Sequence, residues 1–521
     1  MAKEVFVIEF PLKVEKWQAD ILNKRYEHLR RLYNYVQSKL LRQYIYFTQM
    51  QDYKKCKTLK EKKNFFKEHV FHIKGILGRN KSPLDITFTE YGILGMVTKL
   101  SQLSMGGKSY SDIGIGFTIL ANLADNIWAA WNKRLYDFEC ERISFKKYGS
   151  LDTFGSGKIN NKYFCGFDLH LDRMTLDIKI NGRTGKQAKF ISLPIRYNMK
   201  HVDYEMNALA GGFDSIKVLT VVRRMVRGQY KYYLQMTIEG VKPQKGRHLG
   251  KGRVGIDIGP TTIAVSSNST VSIDKLAAKC DNIEKDIQRI NRKLDRSRRT
   301  MNPDNFNEDG TIKRGVRLIW NNSENYKALR RQKAELQRKQ AAVRKMQHIE
   351  RANSLLSEGD TFIVENNPIK GWAAKAKETK VSEKTGKIQK KKRWGKSVAN
   401  HSPAMFVTIL ENKVKSMGGT VIKADVKNAA SRYDFTDGSF TKHDLDERGV
   451  TLSNGDTHQR DMLAAFNLQH LIYDAEKPKQ YDQLRMKSHY PRFCELEQDE
   501  IERYRNKVKK DDRCTIAASR L

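Results

Sequence analysis

Three acidic residues, Asp257, Glu365 and Asp461, each stand where a hydrophobic pattern begins or ends. In RVGIDIGPTTIAVSS the apolar Val254, Ile256 and Ile258 alternate to one face of a predicted strand. Asp257 therefore projects to the other face with Gly255, beside a tight turn. In TFIVENNPIKGW the run Phe362-Ile363-Val364 reads as a buried strand that ends at Glu365 before a polar, proline-containing exit. In HQRDMLAAFNLQHL, Asp461 opens a predicted helix, and the positions sharing its face, Ala464 and Ala465, are small enough to let that helix approach a sheet closely. Three carboxylates converging from two strands and a helix suit hard divalent cations, Mg²⁺ or Mn²⁺. Two such ions can activate a water and steady the leaving oxygen of a phosphodiester without a side-chain nucleophile.

Each acid also has an ordinary explanation. Asp before Gly is common turn chemistry, Glu often closes a strand at the surface, and Asp at a helix start serves as a cap. The pattern DIGPTT also suits the phosphate-binding hairpin of sugar-kinase or actin-like ATPases, but no matching second hairpin follows. Arg460, beside Asp461, suits either a scissile phosphate or a more distant backbone phosphate.

The elements that position these acids follow from periodicity. Residues 4–10 alternate like a strand, and from about Trp17 to Tyr46 apolar residues recur at helical spacing through Leu22, Tyr26, Leu29, Leu32, Tyr33, Val36 and Leu40. A mostly helical region continues to about 145, and its amphipathic segment at 117–139 presents a core stripe. Strand patterns return at 162–240, which predicts a small β-barrel with the helical region inserted into it. From Arg253 the chain alternates as α/β domains do, with basic helices at 281–299 and 323–357. Residues 373–396 are poor in apolar side chains and dense in lysine, as in a loop or lid.

Composition narrows the partner. Of 521 residues, 97 are Lys or Arg against 59 acidic, a formal charge of +38. Such a field favours a polyanion, because neutralised phosphates release condensed counterions. Hydrophobic residues at 39% and aromatics at 10% fit packed domains rather than a disordered basic tail. The six cysteines never form a C-x-x-C pair, so neither a disulfide framework nor a zinc ribbon is signalled. No signal peptide or membrane span is legible, and an intracellular setting is expected by elimination.

The motifs GIDIG, IVENN and RDMLAAFN, in this order, resemble the RuvC motifs of the TnpB family of transposon-encoded RNA-guided nucleases and their descendants, the compact class 2 type V CRISPR effectors. The resemblance spans nearly the whole chain. It implies a multidomain α/β plus α+β protein: an RNase H-like (RuvC) nuclease domain and an N-terminal β-barrel wedge interrupted by a helical recognition insert. The implied boundaries are a wedge at 1–24 and 156–246, a helical region at 25–155, the nuclease domain at 247–427 and 457–475, and an insert at 428–456. Residues 476–521 form an extension with no assigned role. Asp257, Glu365 and Asp461 fall on the family's metal ligands, implying two Mg²⁺ or Mn²⁺ ions.

The implied partners are a guide RNA and double-stranded target DNA, with no membrane. Backbone contacts to an RNA–DNA heteroduplex are expected from Arg289, Arg292, Lys293, Arg296, Arg298, Arg299, Arg330 and Arg331 on the basic helices, and nucleic-acid contacts also from Arg460 and the lid residues Lys391, Lys392 and Arg393. The implied activity is RNA-guided DNA cleavage. Its alternative is a guide-directed repressor that binds without cutting. One departure stands out: where the family carries a four-cysteine zinc ribbon, residues 428–456 contain no cysteine. Tyr433, Asp434, Leu452 and Gly455 take roughly the places of the missing ligands, and His443 and His458 are too isolated to rebuild the site, so no zinc is expected.

Overall fold

The computed structural model describes residues 4–510 except 69, 74–83, 88, 103–108, 138–142, 160–162, 165, 198–200, 244–245, 375–393, 443–446, 475 and 477. The chain divides into two compact units, Met1–Lys245 and Gly246–Leu521. Among the described residues no helix is long and apolar enough to cross a membrane.

In the first unit, strand β1 (Val5–Pro11) leads into the long helix α1 (Lys16–Gln49). Every apolar residue picked out at helical spacing on α1, from Leu22 to Leu40, is buried. Helices α2 (Leu59–Glu68), α3 (Glu90–Ser101) and α4 (Phe117–Asn132) follow, with a hairpin of Val70–Ile73 and Leu84–Thr87 between α2 and α3. Trp131 of α4 donates its indole N–H to Gln37 of α1 at 2.8 Å, so the wholly buried indole keeps a hydrogen bond.

Seven more strands complete the unit: β2 (Thr153–Ile159), β3 (Tyr163–Phe164), β4 (Phe167–His170), β5 (Thr175–Lys179), β6 (Phe190–Pro194), β7 (Ile216–Val226) and β8 (Gln229–Glu239). The expected barrel is corrected here. The described strands form a five-stranded sheet, in the order β1-β8-β7-β2-β3, and a separate three-stranded sheet, β4-β5-β6. The two meet at a corner, where the chain beyond β1 bridges Leu12 to Ile195 and Lys13 N–H donates to Pro194 O at 2.9 Å. Alternation along a strand specifies which face is buried, but not which edge it pairs with. The β7–β8 hairpin turns through Arg227 and Gly228, both at positive φ, the geometry that matches the twist of paired strands.

The second unit is built on a mixed sheet of β9 (Arg253–Ile258), β10 (Thr262–Ser266), β11 (Val271–Lys275), β12 (Thr361–Glu365) and β13 (Thr420–Ala424). Its order is β11-β10-β9-β12-β13, with β9, β10 and β11 antiparallel and β9, β12 and β13 parallel. The basic helices α5 (Cys280–Met301) and α6 (Glu324–Leu355) fall close to the expected 281–299 and 323–357. Helix α7 (Pro403–Ser416) precedes β13. Val254, Ile256 and Ile258 pack with Leu355 of α6 and Phe406, Leu410 and Val414 of α7 on one face of the sheet.

The opposite face is covered by α8 (Arg460–Gln469), reached through the small hairpin β14 (Gly449–Thr451) and β15 (Thr457–Gln459). Met462, Leu463, Ala465 and Phe466 of α8 share a core with Ala264 and Val271. Helix α9 (Gln483–Lys510) adds Met486 and Phe493 to that core.

Candidate active site

Parallel pairing places the first two acids side by side. Ile256 is in register with Val364, so Asp257 and Glu365, each one residue further along, lie on neighbouring strands at the same end of the sheet. The third acid arrives through a close approach of α8 to β9. A Cβ built on Gly255 would lie 1.9 Å from Ala465 O and 2.4 Å from Gln469 N, so only glycine admits the helix at this depth. From Gly255 to Asp257 the strand advances about 6.6 Å, and from Ala465 back to Asp461 the helix covers about 6 Å. The two acids therefore keep pace along their elements. Of the small residues expected on α8, Ala465 meets with its backbone a glycine whose purpose the sequence pattern leaves unassigned.

The electrostatics agree with that placement. Burial pushes the Asp257 carboxyl well above its ordinary range, and the charges of Glu365 and Asp461 push it further; Arg460 and the Ile258 N–H work in the other direction. Burial also raises Glu365, against a hydrogen bond from Asn367 Nδ2 at 2.8 Å. Asn367 Nδ2 also reaches Ile258 O at 3.2 Å, tying the exit of β12 to the end of β9. Asp461 is 16% exposed and lies between two guanidinium groups, Arg448 Nη1 at 3.5 Å and Arg460 Nε at 3.6 Å.

Asn367 and Arg448 escaped sequence reasoning. Asn367 stands inside a motif read for its glutamate, and Arg448 lies in the cysteine-free stretch 428–456, with no local pattern to mark it.

Among the described residues no group of three or more His, Cys, Asp and Glu side chains is gathered tightly enough to form a ready metal shell. Asp257 lies within electrostatic reach of both Glu365 and Asp461. Their donor chemistry fits a hard divalent cation: all ligand atoms are carboxylate oxygens, and the like-charge burden on Asp257 is what a bound cation would offset.

The expected nucleic-acid contacts are placed as follows. Arg289, Arg292, Lys293, Arg296 and Arg299 are exposed on α5, and Arg330 and Arg331 are exposed on α6. Arg289 pairs with Asp286 at 2.9 Å, and Arg299 with Asp295 at 2.9 Å. Arg298 stacks over Trp320, 3.6 Å from the ring centre. Lys391, Lys392, Arg393 and most of the lid at 373–396 lie outside the described residues, as does His443.

In the cysteine-free stretch 428–456, Asp434 links two loops. One oxygen accepts from Thr436 N at 2.9 Å and the other from Ser453 N at 2.7 Å, with both hydroxyls also bonded to the carboxylate. Tyr433 stacks on Tyr481 at 4.0 Å, and Phe435 packs against Phe466 and Tyr490.

Comparison with solved structures defines the fold. The chain is similar to the Cas12f1 chain in a cryo-EM structure of the Cas12f1-sgRNA-target DNA complex, with a TM-score of 0.50, 14% sequence identity, and coverage of 87% of this chain and 83% of that one. A cryo-EM structure of a CRISPR-Cas12f ternary complex is similar with a TM-score of 0.30 and 13% identity, covering 88% and 83%. No protein-family profile and no curated protein matches the sequence. A mixed-sheet α/β unit with three acids at one sheet end, in a chain that shares the fold of Cas12f1, is the class these observations define.

Proposed function

We propose that this chain is an RNA-guided DNA endonuclease of the compact type V, TnpB-like kind, with a single RuvC-like site of Asp257, Glu365 and Asp461. The observation that carries the reading is the convergence of these acids from β9, β12 and α8, each charge felt by Asp257, in a chain of net charge +38. The shared fold with Cas12f1, solved with sgRNA and target DNA, supports a guide RNA and duplex DNA as partners. The sheet order and the packing of α8 on β9 support an RNase H-like assignment for the Gly246–Leu521 unit.

Asp257, Glu365 and Asp461 would hold two Mg²⁺ or Mn²⁺ ions, which supply charge neutralisation and water activation at a phosphodiester. The chain's own residues do the positioning. Asn367 fixes the Glu365 carboxylate, Arg448 and Arg460 flank Asp461, and Arg460 offers a cation toward an incoming phosphate. Cleavage by water attack would leave 5′-phosphate and 3′-hydroxyl ends, one site acting on both strands in turn.

The deciding experiment loads the purified protein with guide RNA and measures target-plasmid cleavage and duplex binding. Alanine at Asp257, Glu365 or Asp461 is expected to abolish cutting, by at least about 10³-fold, while guided binding persists. Normal cutting by all three variants would sink the assignment. The alternative, guided DNA binding that represses without cutting, shares the fold and the charge of +38 and differs only in lacking a working site. It predicts guide-dependent binding with no cleavage at any Mg²⁺ concentration.

A further inference from the structure

Two buried ionisable side chains of the second unit take no part in the proposed chemistry, and they touch. His458 and Glu497 are 5% and 4% exposed, and His458 Nδ1 lies 2.5 Å from Glu497 Oε2. Glu497 Oε1 accepts from the backbone N–H of Gln459 at 2.8 Å. Gln459 in turn caps α8, its side-chain oxygen accepting from Met462 N at 2.7 Å. On the outer side, His458 Nε2 lies 2.7 Å from the Tyr490 hydroxyl, which donates to Asp456 at 2.6 Å. Helix α9 therefore grips the two residues that immediately precede Arg460 and Asp461.

The far end of α8 is fixed by a different element. Arg253 of β9 donates to Gln469 O at 2.9 Å and to Leu471 O at 2.5 Å, where a cation complements the helix C-terminus. With that end held by the sheet and the middle seated on Gly255, the position of Asp461 depends on how the N-terminal end is held. A buried carboxylate beside an imidazole costs desolvation, and apolar side chains would fill the same space more cheaply. Apolar groups could not accept a hydrogen bond from Gln459 N. The C-terminal segment also reaches the other side of the site, where Tyr481 lies within electrostatic reach of Glu365 and donates to Asn428 O at 2.8 Å.

We propose that Glu497 is a positioning residue for Asp461: through one buried carboxylate the C-terminal helix sets the approach of α8 and so the placement of the third acid for divalent-cation binding. The inference rests on the nuclease reading of the three acids.

The test compares full-length wild type, Glu497→Gln, Glu497→Ala and Asp257→Ala, all loaded with guide RNA. Four quantities are read: melting temperature without cation, Mn²⁺ affinity by calorimetry, guided duplex binding, and cutting rate against Mg²⁺ concentration. Glu497→Gln retains the shape and one acceptor, so it is expected to weaken Mn²⁺ binding by about tenfold and Glu497→Ala by up to about 100-fold, with guided binding within about twofold of wild type. Half-saturation for cutting should move to higher Mg²⁺ in the same order, with the rate at saturation largely recovered in Glu497→Gln. If Glu497→Ala does not fold, Glu497→Gln and Tyr490→Phe carry the comparison.

A lowered melting temperature with unchanged Mn²⁺ affinity and unchanged Mg²⁺ dependence would reduce Glu497 to a packing group and overturn the proposal. Asp257→Ala separates the two failures. If it removes Mn²⁺ binding and cutting while the Glu497 variants change neither, only the positioning role falls. If Asp257→Ala changes nothing, the nuclease reading falls and takes the positioning role with it.

Discussion

Asp257 and Asp434 are both partly or fully withdrawn from water, yet their carboxyls shift in opposite directions. Burial and two like charges raise Asp257, whereas at Asp434 the burial that would raise it is outweighed by hydrogen bonds from Thr436 and Ser453, which hold it below its ordinary value. The consequences for stability are opposite in sign. A raised folded-state value means that, without metal, Asp257 costs the fold nothing at low pH and progressively more as pH climbs above the ordinary carboxylate range. Asp257→Asn removes that cost, so it should stabilise the metal-free protein by about 0.5–2 kcal/mol. The gain should be larger at about pH 8 than at about pH 5, read as melting temperature in a chelator. A destabilised Asn variant would mean that Asp257 is satisfied as it stands. Asp434 contributes stability above the ordinary carboxylate range that is lost as pH falls through its lowered value, and Asp434→Asn should flatten that acid limb. Which elements carry the three acids was legible in the sequence because each acid sits at the edge of a strong apolar pattern. Their supporting groups were not, because the partners lie far off in the chain: Glu497 meets His458 across 39 positions.

At the scale of elements, what is legible depends on whether a helix or strand shows its buried face as apolar periodicity. Helices α1 and α5 do, and they occur where the pattern puts them, whereas α6 buries Gln340 and His348 beside Ala352 and Leu355 and is marked in the sequence by its basic residues instead. Helix α9 does not, because Glu497 and Glu500 sit on its buried face with Met486 and Phe493, and Pro491 lies within it. Both glutamates are used: Glu500 accepts from Ile273 N at 3.0 Å, anchoring α9 to the edge strand β11. The barrel was misread for the complementary reason, since β4, β5 and β6 alternate just as members of a barrel would. The decisive contact between elements is at Gly255, where helix backbone replaces a side chain. Gly255→Ala forces α8 off the sheet, because the obstructing atoms are the backbone O of Ala465 and N of Gln469 and cannot swing aside. The expected cost is about 1–3 kcal/mol or more of stability. Displacement of Asp461 should also cut cleavage more deeply than guided binding. A Gly255→Ala protein with wild-type melting and cutting would show that α8 is free to move away from β9.

On the scale of the whole molecule, a charge of +38 does not say where a polyanion lies, but the distribution of ion pairs on α5 narrows it. The buried stripe of Ile283, Ile287, Ile290 and Leu294 turns the opposite face of α5 to solvent. On that exposed surface Arg289 and Arg299 are already engaged by Asp286 and Asp295, whereas Arg292, Lys293 and Arg296 have no ion-pair partner among the described residues. Exposed like charges three and four residues apart repel along a helix, a cost of a few tenths of a kcal/mol per pair that a phosphate backbone would reverse. If these cations meet phosphates, each releases about one condensed counterion on binding, so the dependence of log affinity on log salt should be shallower by about 2–3 units in a triple alanine variant. The measurement is guide-RNA and duplex-DNA affinity between about 50 and 200 mM salt, the range over which several phosphate contacts change affinity by orders of magnitude. An Arg289→Ala/Arg299→Ala variant serves as the comparison, since its cations are partly neutralised within the helix and should contribute less to the slope. Equal slopes for wild type and the triple variant would place the nucleic acid on another face, with the acids Asp257, Glu365 and Asp461 approached from a different side.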